Sequence, residues 1–122
     1  MYKGLSDRII ESVYVVHKAL GPGLMENPYR NALFNRLFKT GLSVEKEVSY
    51  QVRFEGDVVG QYFADIVVEK KIIVEVKAVR ELSELMEAQL INYLRISGLQ
   101  VGYLVNFRGS SVVWKRLVSF SP

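Results

Sequence analysis

Two apolar stretches, Tyr62 to Val68 and Ile72 to Val79, flank the charged trio Glu69-Lys70-Lys71 and together read "YFADIVVEKKIIVEVKAV". β-Branched residues dominate both, which predicts a β-hairpin. Three ionisable residues, Asp65, Glu75 and Lys77, are set into this apolar pair of strands. Side chains alternate along a strand, so Glu75 and Lys77 share one face while Ile72, Val74, Val76 and Ala78 point the other way into a core. Parity decides where Asp65 goes. A three-residue connection, Glu69 to Lys71, or a bulge, sets Asp65 opposite Glu75; a two-residue turn at Lys70-Lys71 sends it to the other face.

Two carboxylates side by side are costly to bury unless a cation compensates them, so the pairing makes chemical sense around a metal or a lysine. Oxygen ligands from aspartate and glutamate suit Mg²⁺ or Mn²⁺ over softer metals. A lysine beside such an ion can position or deprotonate a water, or stabilise charge on a phosphate in flight. The plainer alternative is a solvated hairpin whose charges form a salt bridge of little worth.

The remaining elements follow from periodicity and punctuation. Ile9, Ile10, Val13, Val16 and Leu20 predict a first helix over 6–20, with Ser6 as its N-cap and Leu5 stapled against Ile10. "GPG" at 21–23 stops it. A second helix starts near Met25, accepts Pro28 in its first turn, and runs through Tyr29, Leu33, Leu37 and Phe38 to Gly41. Strands are predicted over 47–54, 58–68 and 72–78, with "EGD" turning the first pair. A third helix spans Ser83 to Ser97, capped by Ser83 and ended by Gly98. "QVGYLVNF", a turn at 108–111 and "VVWKRLV" supply a last pair of strands. The order α, α, β, β, β, α, β, β belongs to a mixed sheet with helices packed on it, in one α/β domain spanning 1–122.

Composition removes several classes of function. The chain is 122 residues long, 49% hydrophobic, has no cysteine and carries one histidine, so thiolate metal sites, disulfides and a structural zinc site are excluded. That histidine, His17, reads as a structural residue at the end of the first helix. There is no apolar run long enough to span a bilayer and no basic-then-apolar leader, which gives a cytoplasmic expectation. A net charge of +3 is compatible with a polyanionic partner.

Three helical positions carry polar residues on stripes expected to be buried. Glu26, Tyr29, Leu33 and Leu37 share one face of the second helix, so Glu26 extends the surface that packs on the sheet and needs a partner there. The alternative is that Glu26 favours the positive end of the helix dipole. Gln89 and Tyr93 lie within the apolar pattern of the third helix, as site residues or as a satisfied amide and a core tyrosine. Tyr103, Phe107 and Trp114 read as strand core or surface aromatics.

"FAD", nine residues and "EVK", on consecutive strands after an N-terminal helix, resemble the PD-(D/E)XK nuclease superfamily, with Ala64 where the motif's proline would be. Gly23, Glu26 and Tyr29 in "GLMENPYRNAL", with "HKALGPG" and "EAQLINYLRISGLQVGYLVNF", are similar to the small bacterial family named for its GxxExxY motif, over about Ile9 to Val118. The resemblance implies a restriction-endonuclease-like α/β/α domain, a mixed central sheet flanked by helices. It also implies metal-dependent hydrolysis of phosphodiester bonds, in DNA before RNA. Asp65 and Glu75, with Glu26, would hold Mg²⁺ or Mn²⁺. Lys77 would orient or activate the attacking water. Gln89 and Tyr93 would hold the phosphate or the metal's water shell. Lys46, Lys70, Lys71, Arg30 and Arg80 are candidates for backbone phosphates. A homodimer would supply two sites for cutting a duplex. The rival expectation is a catalytically inactive module that keeps the fold to bind nucleic acid or a protein partner.

Overall fold

The computed structural model describes residues 1–120. Helix α1 (Lys3–Leu20) and helix α2 (Glu26–Lys39) precede three strands, β1 (Val44–Phe54), β2 (Asp57–Val68) and β3 (Ile72–Lys77). Helix α3 (Glu84–Ser97) leads into β4 (Val101–Asn106) and β5 (Val113–Val118). The five strands form one sheet in sequence order, antiparallel except for β3 and β4, which run parallel. Parallel neighbours cannot be joined by a tight turn, and α3 is the crossover.

The sheet separates two apolar layers. On one side Ile72, Val74, Val76, Val101, Tyr103 and Val105 pack with Ile9, Val13 and Val16 of α1 and Tyr29, Leu33 and Leu37 of α2. On the other, Tyr62, Ala64, Ile73 and Leu104 pack with Leu90 and Leu94 of α3. The three helices thus flank a mixed sheet on both sides. α3 sits close because β4 carries a glycine under it: a Cβ at Gly102 would lie 3.0 Å from a methyl of Leu90.

The ends of α3 follow their sequence signals. Ser83 accepts the N–H of Met86 at 3.2 Å, and Gly98, at φ 77°, donates to the Leu94 carbonyl. The first helix begins earlier than its cap signal suggests. α1 starts at Lys3, entered from Tyr2 in a left-handed conformation with no side-chain cap, so Ser6 lies inside the helix. There its hydroxyl is buried without a partner among the described residues. β1 also begins three residues before the expected Glu47, which has a positive φ of 54° within the strand. No helix among the described residues is long and apolar enough to cross a membrane.

Two chain segments set up the end of the molecule that matters for chemistry. The β2–β3 connection has three residues: Glu69 and Lys70 are both left-handed, and Lys71 N–H closes the turn on the Val68 carbonyl at 2.9 Å. This fixes Val68 opposite Ile72 and Ile66 opposite Val74. The second segment is the "GPG" loop, which Tyr29 holds shut. Its hydroxyl donates to the Gly21 carbonyl at 2.5 Å and accepts the Leu24 N–H at 3.1 Å, while its ring stacks on Phe107 at 4.8 Å.

Candidate active site

The register set by the turn brings Asp65 across from Glu75, and the two residues interlock. Regular pairing of β2 with β3 ends at Ile66 and Val74. Beyond it, Asp65 N–H donates to Glu75 Oε2 at 2.9 Å, and Val76 N–H donates to Asp65 Oδ2 at 2.8 Å. Carboxylates therefore take up backbone donors where the strands part, which satisfies groups that would otherwise be stranded. Each side chain keeps a second oxygen, and Asp65 Oδ1 has Arg30 Nη1 at 3.4 Å.

Electrostatics mark Glu75 as the stressed member. It is buried, with 6% of its surface exposed. Burial, and then the neighbouring Asp65 charge, push its pKa up to about 7, against the smaller opposing effects of the Asp65 N–H, Tyr62 and Lys77. The Tyr62 hydroxyl lies beside Glu75 and favours its charged form, yet no acceptor closes a hydrogen bond to it with good geometry. Burial, with Glu75 next, pushes the Tyr62 ionisation well above the ordinary phenol range.

Lys77 is half-buried at the end of β3, opposite Asn106 of β4. Two residues along a strand place it about 7 Å from Glu75 on the same face. The backbone that carries it is pinned. Asn106, buried, donates from Nδ2 to the Val79 carbonyl at 2.8 Å and accepts Val79 N–H at 3.1 Å, and Phe107 N–H donates to the Lys77 carbonyl at 3.0 Å. Asn106 did not stand out as a site-organising residue from sequence, although a lone amide inside "YLVNF" was the available signal.

The other expected residues divide. Tyr93 reaches this neighbourhood: its ring stacks on Tyr62 with centroids 3.4 Å apart, and burial and then Glu75 raise its pKa. Gln89, one turn earlier on α3, is exposed and has no hydrogen-bond partner among the described residues. Glu26 is exposed as well, not part of the buried stripe formed by Tyr29, Leu33 and Leu37. The buried stripe begins at Tyr29, one turn into the helix. Among the described residues no three Asp, Glu, His or Cys side chains gather to hold one ion.

Arg30, also on α2, lies next to Asp65. Besides Asp65 it contacts Glu47 at 3.4 Å and Asn27 at 3.0 Å, and its Nε is buried without a partner among the described residues. Of the other expected phosphate contacts, Lys46 lies over the Phe34 ring and Lys71 over the Tyr2 ring. Lys70 and Lys71 sit at the end of β3 opposite Lys77, about 20 Å away along the strand. His17 is structural: its Nε2 lies 2.8 Å from the Gly109 carbonyl, and its N–H holds the β4–β5 turn against α1.

The donor set fits a hard divalent cation. Mg²⁺ is commonly held by one or two carboxylates, with waters and substrate phosphate completing its shell, so a third protein carboxylate is unnecessary. A bound cation would also relieve the repulsion that raises the Glu75 pKa.

No match is found among curated proteins. Among solved structures, the chain is similar to the crystal structure of SSO0001, with a TM-score of 0.59 and 22% identity over 97% of this chain. That likeness is one of fold, and the chain spans 59% of that structure's length. Residues 3–117 match the profile of the PD-(D/E)XK nuclease superfamily, which takes in both helical layers, the sheet up to the last residue of β5, and Asp65, Glu75 and Lys77. The chain belongs to the PD-(D/E)XK nuclease superfamily.

Proposed function

We propose that this protein is a metal-dependent nuclease that hydrolyses phosphodiester bonds in DNA, with Asp65, Glu75 and Lys77 as its working residues. The observation that carries the reading is the interlock of Asp65 and Glu75, which keeps two carboxylates together although burial and mutual repulsion oppose it. A fold that tolerates such a pair needs a cation to offset it, and the two oxygens not bound to backbone are where Mg²⁺ or Mn²⁺ would be held. When bound there, the ion supplies Lewis acidity towards the scissile phosphate and acidifies water. Lys77, on the same face as Glu75, orients the attacking water or stabilises charge gathering on the phosphate. The stacked rings of Tyr62 and Tyr93 lie on the Glu75 side of the pair.

Within the superfamily, Gly23, Glu26, Tyr29 and their flanking segments support assignment to the GxxExxY family. Its tyrosine acts here as a loop anchor, through the two hydrogen bonds to Gly21 and Leu24.

A second reading, a nuclease fold kept for binding alone, draws on one observation: Arg30 already lies against Asp65. An arginine that neutralises a ligand carboxylate permanently would leave no use for a metal. Incubating plasmid, linear and single-stranded DNA and RNA with Mg²⁺ or Mn²⁺ separates the two. The nuclease reading expects cleavage that EDTA abolishes; a folded protein that neither cuts nor binds either metal supports the binding module.

A further inference from the structure

The sheet ends at β1, and that edge is open. Among the described residues β1 pairs with β2 and with no other strand, so one row of its backbone N–H and C=O groups faces outward along 11 residues. Proteins commonly shorten, cover or interrupt such an edge, because it is a template for another strand. β1 and β2 also run on past their neighbour. β2 pairs with β3 only over Ile66 to Val68, which leaves 48–54 and 57–64 as a two-stranded arm. A lone hairpin is marginally stable in water, yet on this one Phe54, Val58, Val59 and Phe63 are each more than half exposed. The charges around them are Glu45, Glu47, Glu55 and Asp57 against Lys46 and Arg53, an acidic excess that disfavours a nucleic acid as the occupant.

The edge is complementary to itself. Residues 47–53 read "EVSYQVR". When two copies of a strand pair antiparallel about a two-fold axis, residues directly opposite each other share a face of the sheet. One residue must then lie opposite its own copy, since a register that matched residue i with i+1 would match side chains from opposite faces. Centred on Tyr50, the pairing sets Tyr50 against Tyr50, Ser49 against Gln51, Val48 against Val52 and Glu47 against Arg53, the last three twice each. The half-buried side chains Val48, Tyr50 and Val52 align on one face, the exposed Ser49 and Gln51 on the other, and opposite charges close both ends. Arg53 is free for this role: it reaches the Gln51 side chain and the Gly56 carbonyl, and among the described residues it pairs with no carboxylate. Neighbouring registers are worse. Centring on Ser49 sets Lys46 against Val52, and centring on Gln51 sets Glu47 against Glu55.

We propose that the β1 edge is a dimer interface, in which a second copy of this chain pairs antiparallel about Tyr50 and joins the two five-stranded sheets into one. Each arm then gains a strand neighbour along its open side. The two-fold axis stands perpendicular to the sheet, so both copies turn their α3 layer the same way. Glu75 and Lys77 alternate with the residues facing α1 and α2 and share the α3 side with Ile73. Under the nuclease reading, two sites would therefore open on one side of the assembly, five strand spacings or about 24 Å apart across the sheet, an arrangement suited to the two strands of a duplex. The pairing itself does not rest on that reading.

The test measures the oligomeric state of the full chain by analytical ultracentrifugation over a concentration series. Wild type should be a dimer. Arg53→Glu and Glu47→Arg should each weaken the dimer at least about tenfold, because each places like charges together at both ends of the interface. The double variant Glu47→Arg with Arg53→Glu should restore it. Within one chain these residues stand six apart on a strand, about 20 Å, so restoration reports contact between copies. Both are exposed, and an unchanged melting curve will confirm that the variants fold. The register is read separately, by disulfide formation in a chain that has no cysteine of its own. Ser49→Cys and Gln51→Cys should each cross-link poorly to their own kind, across about 8 Å, and readily to one another when mixed, across about 5 Å. A wild type that stays monomeric, a dimer indifferent to both charge reversals, or a mixture that cross-links no better than its components overturns the proposal and leaves the arm to a different protein. DNA cleavage is scored apart from this: a monomer that cuts keeps the nuclease reading and loses the dimer, and a dimer that never cuts does the reverse.

Discussion

Asp65 and Glu75 are locked to each other's strands: Asp65 N–H donates to Glu75 Oε2 at 2.9 Å, and Asp65 Oδ2 accepts from Val76, the residue after Glu75, at 2.8 Å. Each carboxylate is fixed in place by a backbone N–H of the other residue's strand. A site that is pre-formed in this way pays in stability for readiness to bind.

Glu75→Gln makes that cost visible. The amide keeps the size of the side chain and removes the buried charge, so the metal-free protein should gain about 1–3 kcal/mol at pH 8, measured by urea denaturation. The same variant should lose Mg²⁺ binding and at least about a hundredfold in cleavage rate. A variant that loses stability instead would show that the carboxylate is satisfied as it stands.

Stability should fall as pH rises. Glu75 has a folded pKa near 7, above the 4.5 of an unperturbed glutamate, so the native state binds the extra proton between those values. Its contribution is complete below pH 4.5 and lost as pH passes 7, an effect of about 3 kcal/mol by linkage. Thermal melts from pH 5 to 8 should show this slope, and Glu75→Gln should flatten it. Mg²⁺ binds the ionised form, so it should raise the melting temperature more at pH 8 than at pH 5.5.

Arg30→Gln should tighten Mg²⁺ binding several-fold in calorimetry. In the metal-free protein the guanidinium lies 3.4 Å from Asp65 Oδ1 and has to yield that oxygen to an incoming ion. Unchanged affinity would mean that Arg30 moves aside at no cost.

Tyr29→Phe should cost about 1–3 kcal/mol, because it leaves the Gly21 carbonyl and the Leu24 N–H without the hydroxyl that joins them. The stack on Phe107 survives, so folding should persist. Proteolysis should then start in the 21–25 loop sooner than in the wild type, read by mass spectrometry of the fragments.

Much of this site was legible from local pattern. Glu69-Lys70-Lys71 gave two register options with opposite consequences for Asp65, and the choice was one of parity, which a strand obeys strictly. α3 announced both its ends through Ser83 and Gly98. What escaped was set by distance and by how far elements extend. The stripe through Glu26 and Tyr29 gives an angle around the helix but not where along the helix burial begins, and Glu26 is exposed while Tyr29 is buried. Arg30 meets Asp65 across 35 residues, through packing of α2 that no local pattern encodes. Ser6 had the chemistry of a cap, yet α1 gains another turn before it because the Tyr2 carbonyl accepts the Ser6 N–H at 2.8 Å.

The most direct measurement separates holding the metal from doing chemistry. Mg²⁺ or Mn²⁺ affinity by calorimetry and DNA cleavage rate should be determined side by side for the wild type, Glu75→Ala and Lys77→Ala. The account predicts that Glu75→Ala loses both binding and cleavage, while Lys77→Ala keeps near-normal metal affinity and loses cleavage. Wild-type protein that binds neither metal, or a Lys77→Ala variant that cuts at the wild-type rate, would contradict it.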